Sequence, residues 1–120
     1  MPSNDAREQR IQMEIIVDAY GPEEQALGWY YYLDDNLHVP FQARCVAERA
    51  TSPLRVGDEV EIIAMAPEEV CEHETFVTAR WDQDRTLAVP LVQLADIGAD
   101  AETHEAIEDW RYWVDSGYEL

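Results

Sequence analysis

Asp34-Asp35-Asn36 sets three hard oxygen donors in a row, where the hydrophobic pattern predicts the end of a helix. A helix C-terminus carries partial negative charge, so each carboxylate there costs about 0.3–1 kcal/mol. Two in succession ask for a counterion. Calcium suits the place, because it takes six to eight oxygens at about 2.3–2.6 Å from carboxylates, amides and main-chain carbonyls. Helix ends leave such carbonyls spare. The plainer alternative leaves both aspartates in solvent and makes Asn36 a left-handed cap.

Asp82-Gln83-Asp84 is the second candidate. Alternate residues of a tight turn aim two carboxylates at one ion, as the opening of an EF-hand loop does. Thr86, Leu87 and Val89 stand where that loop needs glycine and further oxygens. The stretch is therefore not an EF-hand, and its plain alternative is a polar hairpin tip. Glu68-Glu69, Glu72 and Glu74 read as a solvated acidic loop that concentrates cations without caging one. Asp96, Asp100 and Glu102 suit capping of a helix N-terminus.

Cys71-Glu72-His73-Glu74 has zinc-type ligands, but structural zinc wants four at recognisable spacings, and His38 and His104 are distant in sequence. No nucleophile, base and orienting group stand out together, and no glycine loop cradles a phosphate. The chain is not expected to be an enzyme. Trp29-Tyr30-Tyr31-Tyr32 and Trp110-Arg111-Tyr112-Trp113 read as core and helix-packing residues. Trp29, Tyr32, Tyr112 and Trp113 are the ones that would give an exposed face for a dimer or a partner.

These groups sit in 120 residues, enough for one domain with a real core. The single domain is expected over 1–120, with 1–4 as a flexible arm. Eight arginines, no lysine and 26 acidic residues give a net charge of −18. That balance argues against nucleic acid and anionic membranes, which need a basic face. It favours calcium ions or a basic protein as partner. No apolar leader and no membrane-length apolar run are seen, so the expectation is a cytoplasmic protein, monomer or weak homodimer. Cys45 and Cys71 then stay reduced.

Asn4 or Asp5 is expected to cap a first helix to about Tyr20, with Met13, Ile16, Val17 and Tyr20 on its inner face. Gly21-Pro22 breaks it. Pro22 starts a second helix to about Asp35, burying Ala26, Leu27, Tyr30 and Leu33. His38-Val39-Pro40 ends that helix. Period-two stretches then predict strands at 41–47, 59–65, 75–81 and 86–89, with turns at 56–58 and 82–84. Residues 91–97 read as a short helical or irregular turn. A last helix spans 102–114, with Ile107, Trp110 and Val114 inward and Arg111 beside Glu108 or Asp115. The fold class is α+β: a small antiparallel, SH3-like β-barrel or sheet flanked by N-terminal helices and a C-terminal helix.

Four blocks, "MEIIVDAYGPEEQALGWYYYLDDNL", "SPLRVGDEVEIIAMAPEE", "LAVPLVQL" and "EAIEDWRYWV", resemble the small acidic calcium-binding proteins of cyanobacteria that lack EF-hands. The resemblance runs from about Met13 to Tyr118. It implies an α+β protein that binds Ca2+ through surface carboxylates and buffers or sequesters the ion inside the cell. Asp34-Asp35, after the tyrosines, is the acidic block that matches best. The alternative is an acidic protein-interaction module with a salt-adapted surface and no specific metal site.

Overall fold

Proline and glycine set the main joints. The computed structural model describes residues 2–17, 19–50, 52–82 and 85–116, with backbone alone at 2–5 and 81–82. Helix α1 spans Pro2–Arg10 and runs into a π-helical turn, Ile11–Ile15. Residues 2–4, expected as an arm, form its first turn. The Ile16 N–H donates to the Ile11 carbonyl at 3.0 Å. This wider ring sets Ile16 beside Ile11 and Ile15, and all three are buried. Met13, Val17 and Tyr20 are exposed, so the expected inner face is corrected at every position except Ile16. The helical stretch ends after Ile15, and Val17 and Tyr20 have no helical face to share.

Helix α2 spans Pro22–Asn36, with the proline in its first turn beside Glu23 and Glu24. Proline suits that place because its missing N–H would be unpaired there anyway. The helix buries Ala26, Trp29 and Leu33. Leu27 is exposed and Tyr30 half-buried, so the core face is turned toward Trp29 relative to expectation. The reason lies in the neighbours: the π turn crosses α2 at Gly28. A Cβ on Gly28 would stand 2.5 Å from the Ile15 carbonyl oxygen. Gly28→Ala is therefore expected to cost about 1–3 kcal/mol by forcing backbone apart. Urea denaturation checks this; an unchanged midpoint would show that the crossing relaxes freely.

Among the described residues, five strands follow the first two helices: β1 Phe41–Cys45, β2 Glu59–Met65, β3 Phe76–Asp82, β4 Arg85–Pro90 and β5 Leu94–Asp96. They form one sheet in the order β4-β3-β2-β1-β5, antiparallel throughout. Strand β1 alternates buried and exposed residues, as its sequence does. The Val56-Gly57-Asp58 turn holds Gly57 at φ 98°, a conformation that favours glycine. Asp58 accepts there from the Arg55 N–H at 2.9 Å. The sheet is open and does not close into a barrel. Its apolar face is covered by helices, and β5, only three residues long, pairs with β1 alone. The stretch expected as a short helical or irregular turn begins with a 3-10 turn, Leu91–Gln93, and leads into β5.

Helix α3 spans Ala101–Asp115. The Asp100 side chain caps it, accepting from the Thr103 N–H at 2.8 Å. Hydrogen bonds from Thr103, then from His38, hold the Asp100 carboxyl down at about 2. Trp110 and Trp113 are both buried, with Trp29, in one core cluster that also takes the inward side chains of the sheet. Ring centroids are 5.1 Å apart for Trp29–Trp110 and 5.6 Å for Trp110–Trp113. Trp29 and Trp113 therefore give no exposed face. Arg111 does not pair with Glu108 or Asp115; its guanidinium donates to the Leu94 carbonyl and ties α3 to β5.

His104 on α3 meets Asp96 on β5, Nδ1 to Oδ1 at 2.7 Å. The hydrogen bond to Asp96 raises the imidazole above its ordinary 6.5, with the Asp96, Glu108 and Glu105 charges adding. A raised folded-state value stabilises fully below the unfolded value and fades as pH rises through the folded one. Stability is thus expected to decline on the alkaline side of 6.5, and His104→Gln to flatten that decline. Urea midpoints from pH 5.5 to about pH 8.5 measure it. A His104→Gln slope equal to the parent's would contradict the assignment.

Candidate metal centre

The last turn of α2 presents an acidic pair that has no hydrogen-bond or ion-pair partner among the described residues. The chain leaves the helix at Leu37, in extended conformation at φ −83°, with its N–H on the Leu33 carbonyl at 2.8 Å. Asn36 is therefore helical and is not a left-handed cap. Its Nδ2 donates back to the Tyr32 carbonyl at 2.8 Å. The Asn36 carbonyl accepts from the Thr103 hydroxyl at 3.4 Å, and that hydroxyl accepts from the His38 N–H at 2.9 Å. These bonds seat the end of α2 on the start of α3.

Asp34 and Asp35 are exposed. Among the described residues, no hydrogen bond or ion pair engages their carboxylates or their main-chain carbonyls. The set on offer is oxygen throughout, at the negative end of a helix. That chemistry fits a hard cation such as calcium and does not fit zinc. His38 lies just beyond, its Nδ1 2.5 Å from Asp100 and its Nε2 3.4 Å from Glu102.

A second acidic region lies along the same helix. The 3-10 turn Glu68–Cys71 faces α2, and between them runs a groove of about 630 Å3 lined by Glu23, Tyr30, Glu68, Glu69 and Glu72. The Tyr30 hydroxyl donates to the Ala66 carbonyl at 3.0 Å. Burial raises this hydroxyl above its ordinary range, and Cys71, Asp34, Glu68 and Glu69 add to the rise. One hydroxyl thus feels the negative charge of both acidic regions. Glu23 was missed as a partner of 68–72. Its only sequence signal is its place in the first turn of α2.

Asp82 ends β3, opposite Arg85. Its side chain, and Gln83 and Asp84 entirely, lie outside the described residues. Asp82 thus falls on a different element from Asp34 and Asp35, the end of β3 as against the last turn of α2. Cys45 and Cys71 are buried free thiols. Among the described residues, no three of His, Cys, Asp and Glu are grouped to hold one ion, so Cys71-Glu72-His73-Glu74 makes no zinc site. No described helix is long and apolar enough to cross a membrane.

The model of the CcbP family, described as calcium binding, matches residues 9–114. The chain belongs to this family. Its match takes in α2, the sheet and nearly all of α3, so both acidic regions lie within it. Among solved structures, Anabaena CcbP is 39% identical over 97% of this chain and 94% of that one, with a TM-score of 0.86. A calcium binding protein in the calcium-binding form is 38% identical, over 97% and 94% of the two chains, also at a TM-score of 0.86. No curated protein matches. As a CcbP-family protein, the chain is a calcium-binding protein of α+β fold, from a family that is not a class of enzymes.

Proposed function

We propose that this CcbP-family protein buffers calcium in the cytoplasm as a single domain, and that its principal site is the end of α2. The carboxylates of Asp34 and Asp35 would supply charge. The Asn36 amide oxygen and the spare main-chain carbonyls would supply neutral ligands. Asp82 and Asp84 are the candidates for a second, weaker site. The observation that carries the reading is the oxygen-only set at a helix end, with two adjacent carboxylates that nothing described in the chain engages.

The chain's own residues prepare the site in two ways. Thr103 pins the Asn36 carbonyl and the His38 N–H, so the last turn of α2 is held before an ion arrives. The helix dipole and the net charge of −18 raise the local cation concentration. A bound divalent ion offsets repulsion that otherwise weakens the compact state. Few charged ligands on a solvent-facing turn favour exchange over permanent capture, which suits a buffer.

Calorimetric titration of metal-stripped protein with calcium at about 0.1 M salt tests this, where long-range charge effects are partly screened. Saturable micromolar binding that magnesium does not match is the expected result. Weak binding that calcium and magnesium share equally would mean a diffuse acidic surface and no buffer site.

A further inference from the structure

The groove beside the N-terminal half of α2 is shaped for something other than a metal ion. Glu23, Glu68, Glu69 and Glu72 rim it, all exposed. They are not clustered into a cage, since no three ligand-type residues among those described can share one ion. The floor is apolar: Ala26 and Cys71 are buried beneath it, and Leu27 is 38% exposed at its side. A bare cation gains nothing from such a floor and loses water against it. An arginine or lysine side chain uses both parts, its alkyl stem on the floor and its charged head among the carboxylates.

Among the described residues, no arginine pairs with this rim, and the basic group in its lining is the imidazole of His73. Arg7 and Arg10 are engaged with Glu105 and Asp109, Arg44 with Glu59, Arg49 with Glu74 and Arg80 with Glu61. Among the described residues, none of the four rim glutamates is in an ion pair. The volume, about 630 Å3, is within the range of sites that take one small ligand or one or two side chains. Along α2, Tyr31 follows Leu27 one turn on and is 54% exposed, which extends the apolar shoulder.

We propose that this groove docks a basic peptide segment of a partner protein, with arginine or lysine next to a large apolar residue. The charge complementarity selects the basic residue, and the floor with its Leu27–Tyr31 shoulder selects the apolar one. Glu23 and Asp34 are eleven positions apart on α2, about 16 Å along the axis. The docking groove and the end of α2 are thus separate places, and the proposal does not depend on where calcium binds.

Fluorescence anisotropy at about 0.15 M salt, where surface charge is screened beyond about 8 Å, tests it with two dye-labelled dodecapeptides. One alternates leucine and arginine; the other replaces each leucine by serine at equal charge. The leucine-containing peptide is expected to bind at least ~10-fold more tightly. Glu23→Gln/Glu68→Gln/Glu69→Gln should weaken it by a similar factor, and so should Leu27→Ser. Glu14→Gln/Glu48→Gln/Asp115→Asn, which removes as many charges elsewhere, should leave it unchanged. Circular dichroism confirms that each variant is folded. Equal binding of both peptides, equal loss in the two charge variants, or no binding at all would overturn the proposal.

Discussion

Asp34→Ala/Asp35→Ala is expected to weaken calcium binding by about 100-fold or more, a change of ~2.7 kcal/mol. Loss of an outer-shell partner alone typically costs 10–100-fold at a metal site, and this variant removes both carboxylates of the proposed site. Affinity for calcium follows the number of charged ligands and the rigidity of the site. The variant also has a second, opposite signature. Two carboxylates at the negative end of α2 repel the helix dipole and each other, so their removal stabilises the metal-free protein by about 1 kcal/mol. The parent should gain ~2.7 kcal/mol at a calcium concentration of 100 times its Kd, and the double variant almost nothing. Calorimetry with paired thermal melts reads both effects. Binding that survives in the double variant would move the principal site elsewhere, with Asp82 and Asp84 the next to replace.

Asp109→Ala is expected to have the largest effect on stability. Asp109 is fully buried on α3. Its Oδ1 accepts from Arg7 at 2.6 Å and from Arg10, and its Oδ2 accepts from the Tyr32 hydroxyl at 2.6 Å. Burial, with the bond to Asp109, keeps the Tyr32 hydroxyl protonated far above its ordinary range. One carboxylate thus ties α1, α2 and α3 together. Removing one partner of a buried ion pair costs about 3–5 kcal/mol because the remaining charges lose their counterion. Both arginines keep Glu105 at 2.9 Å and retain some solvent contact, which places the effect near the lower end, about 3 kcal/mol. That is a large share of a domain stability of roughly 5–15 kcal/mol. Urea unfolding checks it, and a loss below about 1 kcal/mol would mean that the cluster acts like a surface pair. A lower denaturant slope alongside the loss would report fraying of α1.

Elements built on short-range rules were legible in the residues. Pro22 at the start of α2, the alternation of β1, the Val56-Gly57-Asp58 turn and the strand at Glu59–Met65 all depend on neighbours a few positions apart. The acidic pair at the end of α2 belongs with them, because a helix end is a local feature. The first helix did not follow its expected period, because the π turn at Ile11–Ile15 is held by its crossing with Gly28 of α2. Trp113 reads from its sequence as core, with an exposed face as the alternative, and the contacts with Trp29 and Trp110 decide for the core. Asp109 carries no local signal of its burial, since both its arginines lie about a hundred residues upstream.

The amino-acid sequence by itself determined the α+β class, the excess of negative charge and the place where two carboxylates meet a helix end. Those follow from periodicity, capping and composition, which act locally or by simple sum. Only the tertiary structure decided that the sheet stays open beneath the helices, that Asp109 is a buried tie and that Glu23 faces Glu68, Glu69 and Glu72 across a groove. Each of these joins residues far apart in the chain, and what brings them together is the shared burial of Trp29, Leu33, Ile107 and Trp110 in one core.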